Sequence, residues 1–453
     1  MNTLKQVLFD RIAPLLDDAV MTARTRIRPA TVKAHAGEPA AAAEERLRIA
    51  LKSIFVPTTQ ARRIMKQLIG ASIGFSATRY GGNVDYLRHV YNRDFSDDFP
   101  DATAICLTGL AGSGKSALAL AIGRLLHIEE PIDVGGGHAP FVASHCINVN
   151  FRTHPSVGAS LRQCAYSDAE LAPARIQLDR LTQDARWRAF RDFSVLMFAD
   201  ECQFITHGST SNARATSTLL TLLGLNVPLV YIANYSLCHN LMKRPQQDRH
   251  RLLSRPIVMH PESTGTQDWC DYLEECQRVA GPWLKVQAHK HERQIFQLTF
   301  GIKRIVIDLI CLAYRYMRQD GRESVTLAHL QDAYLSPENM HRSEVEALLA
   351  QMIGGIQPRS DLLCPFEVDS PLSAAAAHAR EQQQKAIVAT YSAEALNASE
   401  RKALSQLENQ AAPVARKERS PAKNRKPPAA PLSASTLLAA DAKMRGCGQS
   451  TRS

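Results

Sequence analysis

The sequence predicts an α/β fold: a five-stranded parallel sheet between helices, then a small all-helical lid and a disordered C-terminal tail. Three observations predict it. Five short apolar runs lie between Ala104 and Met259, none alternating with polar residues, and helical stretches separate them. That is the pattern of parallel strands buried on both faces. From about Thr266 to Gly355 the apolar period turns helical, and beyond Gln357 the composition drifts to Ala, Gln, Pro, Lys and Arg.

In chain order, residues 1–50 carry one amphipathic pattern (Leu4, Val7, Leu8, Ile12, Leu15) and then an Ala/Pro/Glu-rich linker to about Glu45. They are read as a partner-docking helix and linker. Residues 51–103 form a helical segment, "QARRIMKQLIGASIGF", that leads into the glycine turn "RYGGN". Residues 104–262 hold the five strands: "AICLT", "HCINVNF", "SVLMFA", "PLVYIA" and "PIVM". Residues 263–357 form the helical lid, with "WCDYLEECQRVA", "IKRIVIDLICLAYRYM", "LAHLQDAY" and "EVEALLAQMI". Residues 358–453 form a largely disordered basic tail, typified by "APVARKERSPAKNRKPPAAP".

A chain of 453 residues with 45% hydrophobic content can bury a sizeable core in two to four domains. No apolar run reaches the roughly 18–20 residues needed to cross a bilayer, and "MNTLKQVLFDRIAPLLDD" lacks a signal-peptide layout. The expectation is a cytoplasmic protein without a membrane partner. Ten cysteines, none in a CxxC pair and several inside apolar runs (Cys106, Cys146, Cys311), read as buried reduced thiols. The net charge of +10 is uneven. From Pro371 to Ser453 there are 13 Lys and Arg against 6 Asp and Glu, so most of the surplus lies in the tail. A basic tail suits nucleic acid, a docking role or simple solubility.

"GLAGSGKS", Gly109 to Ser116, fits the phosphate-loop spacing G-x-x-x-x-G-K-[ST]. It follows a strand and opens the helix "SALALAIGRLL", the context the motif requires. Gly109, Gly112, Ser113 and Gly114 let backbone N–H groups curl around phosphate oxygens, and the helix N-terminus adds favourable partial charge. Lys115 would reach the β- and γ-phosphates of ATP, Ser116 would ligate Mg²⁺, and Ala117 continues the cradle.

"VLMFADECQFI" ends an apolar run in two adjacent carboxylates, a costly arrangement unless they are paired or metal-bound. Asp200 would hold the Mg²⁺ shell, and Glu201 would orient and activate the attacking water. A helix N-cap is the plainer use of Asp200. Asn234 ends "PLVYIAN", where it could align the water or serve only a turn. Arg249, Arg251 and Arg255 precede the last strand; Arg251 or Arg255 is favoured as an arginine presented to a neighbouring subunit's γ-phosphate. Gly301 and Arg304 open a lid helix, from which Arg304 could reach back to the nucleotide.

This order resembles the AAA+ ATPases: phosphate loop, Asp-Glu strand, sensor-one Asn, arginine finger and a lid with a sensor-two arginine. Within them, residues from about Phe55 to Gly355 resemble the TnsC/TniB-type ATPases that regulate DNA transposition. The carriers are "FVPTTQARRIMKQLIGASIGF", "LTGLAGSGKSAL", "INVNFRTHPSVGASL", "LMFADECQFI" with Gln203, "NVPLVYIANYS" and "FQLTFGIKRIVIDLICLAYRY". Ala233-Asn234 departs from the Gly-Thr or Gly-Asn often found at the first sensor.

The resemblance implies a slow, Mg²⁺-dependent, DNA-stimulated ATPase that forms rings or filaments on duplex DNA without sequence preference. Its implied partners are a transposase, a target-selection protein and further copies of itself. DNA would be held after the second strand, here by Arg152, Thr153 and Arg162, by backbone contacts that carry affinity without reading sequence. Arg186, Arg188 and Arg191 in "ARWRAFRDF" form a second basic segment read from the residues alone. Two other classes share the nucleotide residues: a replication initiator or helicase loader, and a P-loop signalling or defence ATPase. The first should carry a base-reading domain after the lid, the second an effector or repeat domain; neither is visible.

Overall fold

The computed structural model describes residues 3–33, 37–93, 101–153, 156–166, 176–202, 211–353, 359 and 361–366. Gln203 and nearly all of the basic tail lie outside the described residues.

Five strands form one parallel sheet: β1 (Ala104–Thr108), β2 (Cys146–Asn150), β3 (Leu196–Asp200), β4 (Leu229–Ala233) and β5 (Pro256–Val258). All five coincide with the apolar runs. Their order across the sheet is β2-β3-β4-β1-β5. The crossover from β1 to β2 jumps over two strands, which leaves β4 between the phosphate-loop strand and the acid-pair strand. The register sets Thr108 beside Ala233 and Ala199 beside Tyr231.

Burial on both faces explains the missing alternation in β1, β3 and β4; edge strand β2 departs from it, with Asn148 and Asn150 exposed on either side of buried Val149. Ile105, Leu107, Phe198, Val230 and Ile232 face one core cluster. Cys106, Met197, Ala199, Leu229 and Tyr231 face another. Residues of opposite parity therefore both need apolar side chains.

Before the sheet come α1 (Leu4–Ile12), α2 (Asp18–Thr25), α3 (Ala40–Lys52), α4 (Thr59–Arg79) and α5 (Asn83–Asn92). Three of these helices start on side-chain caps. The Thr3, Asp17 and Thr58 oxygens accept backbone N–H groups of Gln6, Ala19 and Ala61. Leu4, Leu8 and Ile12 are fully buried in the same cluster as α4, so the apolar face of α1 is spent inside the chain.

The stretch expected as a linker to Glu45 is helical from Ala40. Ala43, Leu47 and Leu51 make a buried stripe at four-residue spacing. The Ala-rich composition that suggested a linker also has the strongest helix propensity.

Within the sheet region lie α6 (Lys115–Leu125), α7 (Val157–Ala165), α8 (Leu178–Arg191), α9 (Ser211–Leu223), α10 (Tyr235–Met242) and α11 (Gln246–Leu252). The lid comprises α12 (Gln267–Ala280), α13 (Ala288–Thr299), α14 (Lys303–Gln319), α15 (Leu327–Leu335) and α16 (Arg342–Ile353). Its core joins Trp269, Phe296, Val306 and Ile310 to the buried stripe of α3. The N-terminal segment thus ties the lid to the rest of the chain. None of the described helices is long and apolar enough to cross a membrane. The nine cysteines in the described residues are unpaired, and seven of them are buried.

A charged network pins α3 to the lid. Arg48 pairs with Asp308 and, at 2.7 Å, with Glu44. His341 reaches Asp308 at 3.2 Å and Glu344 at 3.6 Å. Hydrogen bonds to Asp308 and Glu344 raise the His341 pKa to about 9. Asp308 is held below the ordinary carboxylate range by His341 and Arg48, against the opposing pull of burial. The histidine's contribution is complete below its unfolded pKa near 6.5 and is lost as pH rises through about 9. The carboxylate's contribution is lost as pH falls through its depressed value. His341→Gln should therefore lower the melting temperature near pH 6 and have little effect above pH ~10; equal shifts at both would remove the charged histidine from the network.

Candidate nucleotide site

The C-terminal ends of parallel strands leave a crevice where the strand order reverses. Here it is a pocket of about 450 Å³ whose wall includes Gly112, Lys115, Ser116, Asp200, Glu201, Asn234 and Arg304. The pocket brings together the phosphate loop, both carboxylates, the strand-end Asn and the lid arginine predicted from sequence. Ala117 also lines it. Sequence reasoning missed the other lid and N-terminal walls: Lys303, Ile307, Tyr272, Leu51, Lys52 and Ile54. Lys303 was within reach, next to Arg304 in "GIKR". Leu51 and Ile54 carry no motif and are recruited only by tertiary packing.

Backbone contacts shape the loop. A Cβ on Gly112 (φ +80°) would lie 2.5 Å from the Arg304 Cβ, and one on Gly109 (φ +152°) would lie 2.2 Å from the Met259 carbonyl oxygen. Gly109 is not a lining residue; its absent side chain lets β1 turn past Met259. The Arg304 N–H donates to the Gly112 carbonyl at 3.2 Å, so the lid helix starts on the phosphate loop itself. Gly301 (φ +68°) makes the matching contact, where a Cβ would lie 2.1 Å from the Glu262 carbonyl oxygen. Lys303 pairs with Glu262 at 2.8 Å.

Two features of the loop suit a polyanion. The Ser113 hydroxyl is buried, yet its Oγ has no hydrogen-bond partner among the described residues, and a buried unsatisfied group calls for one. Lys115 is 8% exposed and donates to the Gly109 and Leu110 carbonyls at 2.9 and 2.8 Å. Burial, aided by the Arg304 charge and opposed by Asp200, lowers its pKa to about 8. A phosphate beside this ammonium would restore its charged form.

At the end of β3, Glu201 adopts a left-handed conformation (φ 59°), uncommon for a side-chain-bearing residue. Adjacent residues of a continuing strand would point to opposite faces. The turn at Glu201 lets both carboxylates line one pocket. Asp200 Oδ1 accepts the Glu201 N–H at 2.7 Å and holds that turn. Asn234 accepts the Leu237 N–H at 2.9 Å as the N-cap of α10. Its oxygen is thereby oriented toward the helix, and its amide NH₂ can be offered to a ligand.

The remaining candidates lie apart from this pocket. Arg249 and Arg251 are exposed on α11, and Arg255 is exposed just before β5. Pro256 is level with Cys106, so Arg255 sits about 10 Å below the pocket edge at ~3.3 Å per residue. None of the three lines the pocket of its own chain. Arg152 and Thr153 are exposed in the turn after edge strand β2, and Arg162 lies half-buried on α7. On α8, Arg188 and Arg191 bond to Asp192 at 3.2 and 2.7 Å, so they are engaged within the fold.

A five-stranded parallel sheet in this order, with the phosphate loop after β1, the acid pair after β3 and a helical lid, is the architecture expected from the resemblance to the AAA+ ATPases. Solved structures that match the chain include the Aeropyrum pernix ORC1 protein in complex with DNA, 17% identical with a TM-score of 0.39 over 66% of this chain and 70% of that one. Drosophila ORC bound to DNA is similar at 14% identity and a TM-score of 0.38, over 77% of this chain and 79% of that one. CDC6P from Pyrobaculum aerophilum follows at 13% and 0.37, over 66% and 84%. No protein-family model matches the chain, and no curated protein matches it.

Two outcomes test this geometry. Gly301→Ala must either strain its backbone or push the lid from Glu262, so it should destabilise the protein by more than about 1 kcal/mol and weaken nucleotide binding; an unchanged melting curve would show that the lid does not depend on this contact. Nucleotide binding at pH 8–9 should take up a proton as Lys115 regains its charge. Calorimetry in buffers of different ionisation enthalpy reads this directly, and Lys115→Met should abolish the buffer dependence.

Proposed function

We propose that this protein is an ATP-driven switch on duplex DNA that regulates transposition. In this reading it oligomerises on DNA with ATP, links target selection to transposase recruitment, and is reset by hydrolysis. The observation that carries the ATPase part is the convergence of Lys115, Ser116, Asp200, Glu201, Asn234 and Arg304 on one pocket. The DNA and transposition parts rest on the sequence resemblance to TnsC/TniB-type ATPases and on the exposed Arg152 and Thr153.

Each residue then has a separable task. Ser116 and Asp200 would hold Mg²⁺, which when bound supplies charge neutralisation at the phosphates. Lys115 leaves the Gly109 and Leu110 carbonyls for the phosphates. Glu201, turned into the same pocket as Asp200 by its backbone conformation, takes the proton of the attacking water. Asn234 orients that water through its amide. Arg304 joins nucleotide state to lid position, because its backbone already rests on Gly112. Arg251 or Arg255, exposed and outside the lining of their own pocket, would serve a neighbouring copy. The basic tail would add a grip on DNA or a docking segment for the transposase.

The test is electron microscopy of Glu201→Gln with ATP, Mg²⁺ and random-sequence duplex, beside turnover measurements. The variant should bind ATP, hydrolyse it about 10²–10⁴-fold more slowly and accumulate DNA-bound oligomers. Normal turnover would remove Glu201 from the base role. Absence of any DNA-bound oligomer would overturn the transposition reading, and strict dependence on one DNA sequence would favour an initiator.

A further inference from the structure

The basic segment "ARWRAFRDF" separates in the fold. Arg188 and Arg191 turn to Asp192, whereas Arg186 lines a second cleft that shares no lining residue with the nucleotide pocket. This cleft, about 240 Å³, is walled by Arg93, Arg180, Gln183, Asp184, Arg186 and Trp187. Arg180, Gln183, Asp184 and Trp187 follow the i, i+3, i+4, i+7 spacing of one helix face on α8. Arg93 joins them from the end of α5.

Three guanidinium groups and one carboxylate line this cleft among the described residues. Asp184 pairs with Arg93 and with Arg180, each at 3.3 Å, and also accepts the Tyr166 hydroxyl at 2.9 Å. Arg186 makes no ion pair among the described residues, and its buried Nε has no hydrogen-bond partner there. Its charge also helps depress the pKa of the neighbouring Arg79, whose main cause is burial. Among the described residues the cleft therefore holds more positive than negative charge.

It is also rigid. The Trp187 Nε1–H donates to the Val90 carbonyl at 2.9 Å, which fixes the indole. The guanidinium carbons of Arg93 and Arg191 lie 4.4 and 4.7 Å from its ring centroid. Stacked guanidinium forks lose little entropy on binding and match oxyanions bidentately. The cleft has room for a phosphate group and not for a base pair. Arg180 and Arg186 are separated by roughly 9 Å along the helix axis, which suits a line of phosphates better than a single ion.

We infer that the α5–α8 cleft, through Arg93, Arg180 and Arg186, is a phosphodiester-binding site that grips the backbone of duplex DNA. It rests on the DNA reading above and adds a second contact surface to the one after β2. Asp184 is its internal competitor: a phosphate takes over the guanidinium groups that the carboxylate now holds.

The experiment measures binding of random-sequence duplex to the full chain by fluorescence anisotropy across a salt series, with ATP analogue and Mg²⁺. Arg180→Gln changes an exposed side chain, and Asp184→Asn removes the competitor. Arg180→Gln should weaken binding several-fold at all sequences and reduce the salt slope by about one. Asp184→Asn should tighten binding several-fold, an effect that misfolding cannot imitate. Both should keep wild-type nucleotide affinity. If wild-type protein binds DNA and neither variant differs from it, the cleft assignment fails alone. If wild-type protein binds no DNA, the parent reading fails and the cleft assignment with it. Unchanged DNA binding with altered binding of a polyglutamate peptide would give the cleft to an acidic protein and overturn the proposal.

Discussion

The nucleotide pocket depends on close backbone approach at three glycines. Gly109 passes Met259, Gly112 passes Arg304, and Gly301 passes Glu262, each at a distance that no Cβ could occupy. The first two shape the phosphate loop, and the last two bring the lid down upon it. Without Gly112 the Arg304 amide could not reach the loop carbonyl; without Gly301 the start of α14 could not meet Glu262 in the segment between β5 and α12. Core sheet and lid are therefore one mechanical unit around the pocket. That contact is the physical route by which events at a phosphate could reach a helical domain.

The acid pair illustrates a second constraint. Two adjacent carboxylates at a strand end face opposite ways while the strand continues. The left-handed turn at Glu201, held by the Asp200 side chain, brings both to one pocket. Backbone strain at such positions persists only where surrounding structure enforces it. Asn234 combines two roles in a similar way: its oxygen caps α10 while its amide end remains available.

Much of this was legible in the sequence because the signals are local. The central strands β1, β3 and β4 could be read from apolar runs, since a strand buried on both faces has no polar register to preserve. The phosphate loop was legible because glycine spacing and a following helix specify its conformation within eight residues. Residues 40–45 were less legible: alanine suits both a linker and a helix, and only the buried stripe of Ala43, Leu47 and Leu51 decides between them. Arg186, Arg188 and Arg191 looked equivalent as a basic segment, yet Asp192 engages two of them and the third opens into a cleft.

The sequence by itself determined the elements, the phosphate loop and the chemistry available at the end of each strand, because these follow from spacing along one chain. Tertiary structure alone decided which distant residues share a site. It set β4 between β1 and β3, so that Asn234 falls between the phosphate loop and the acid pair. It carried Arg304, with the unremarked Lys303, from about 190 residues downstream onto the loop, and it placed Leu51 and Ile54 of the N-terminal segment in the same wall. Such neighbours are fixed by strand order and glycine-sized gaps, and no local pattern records either.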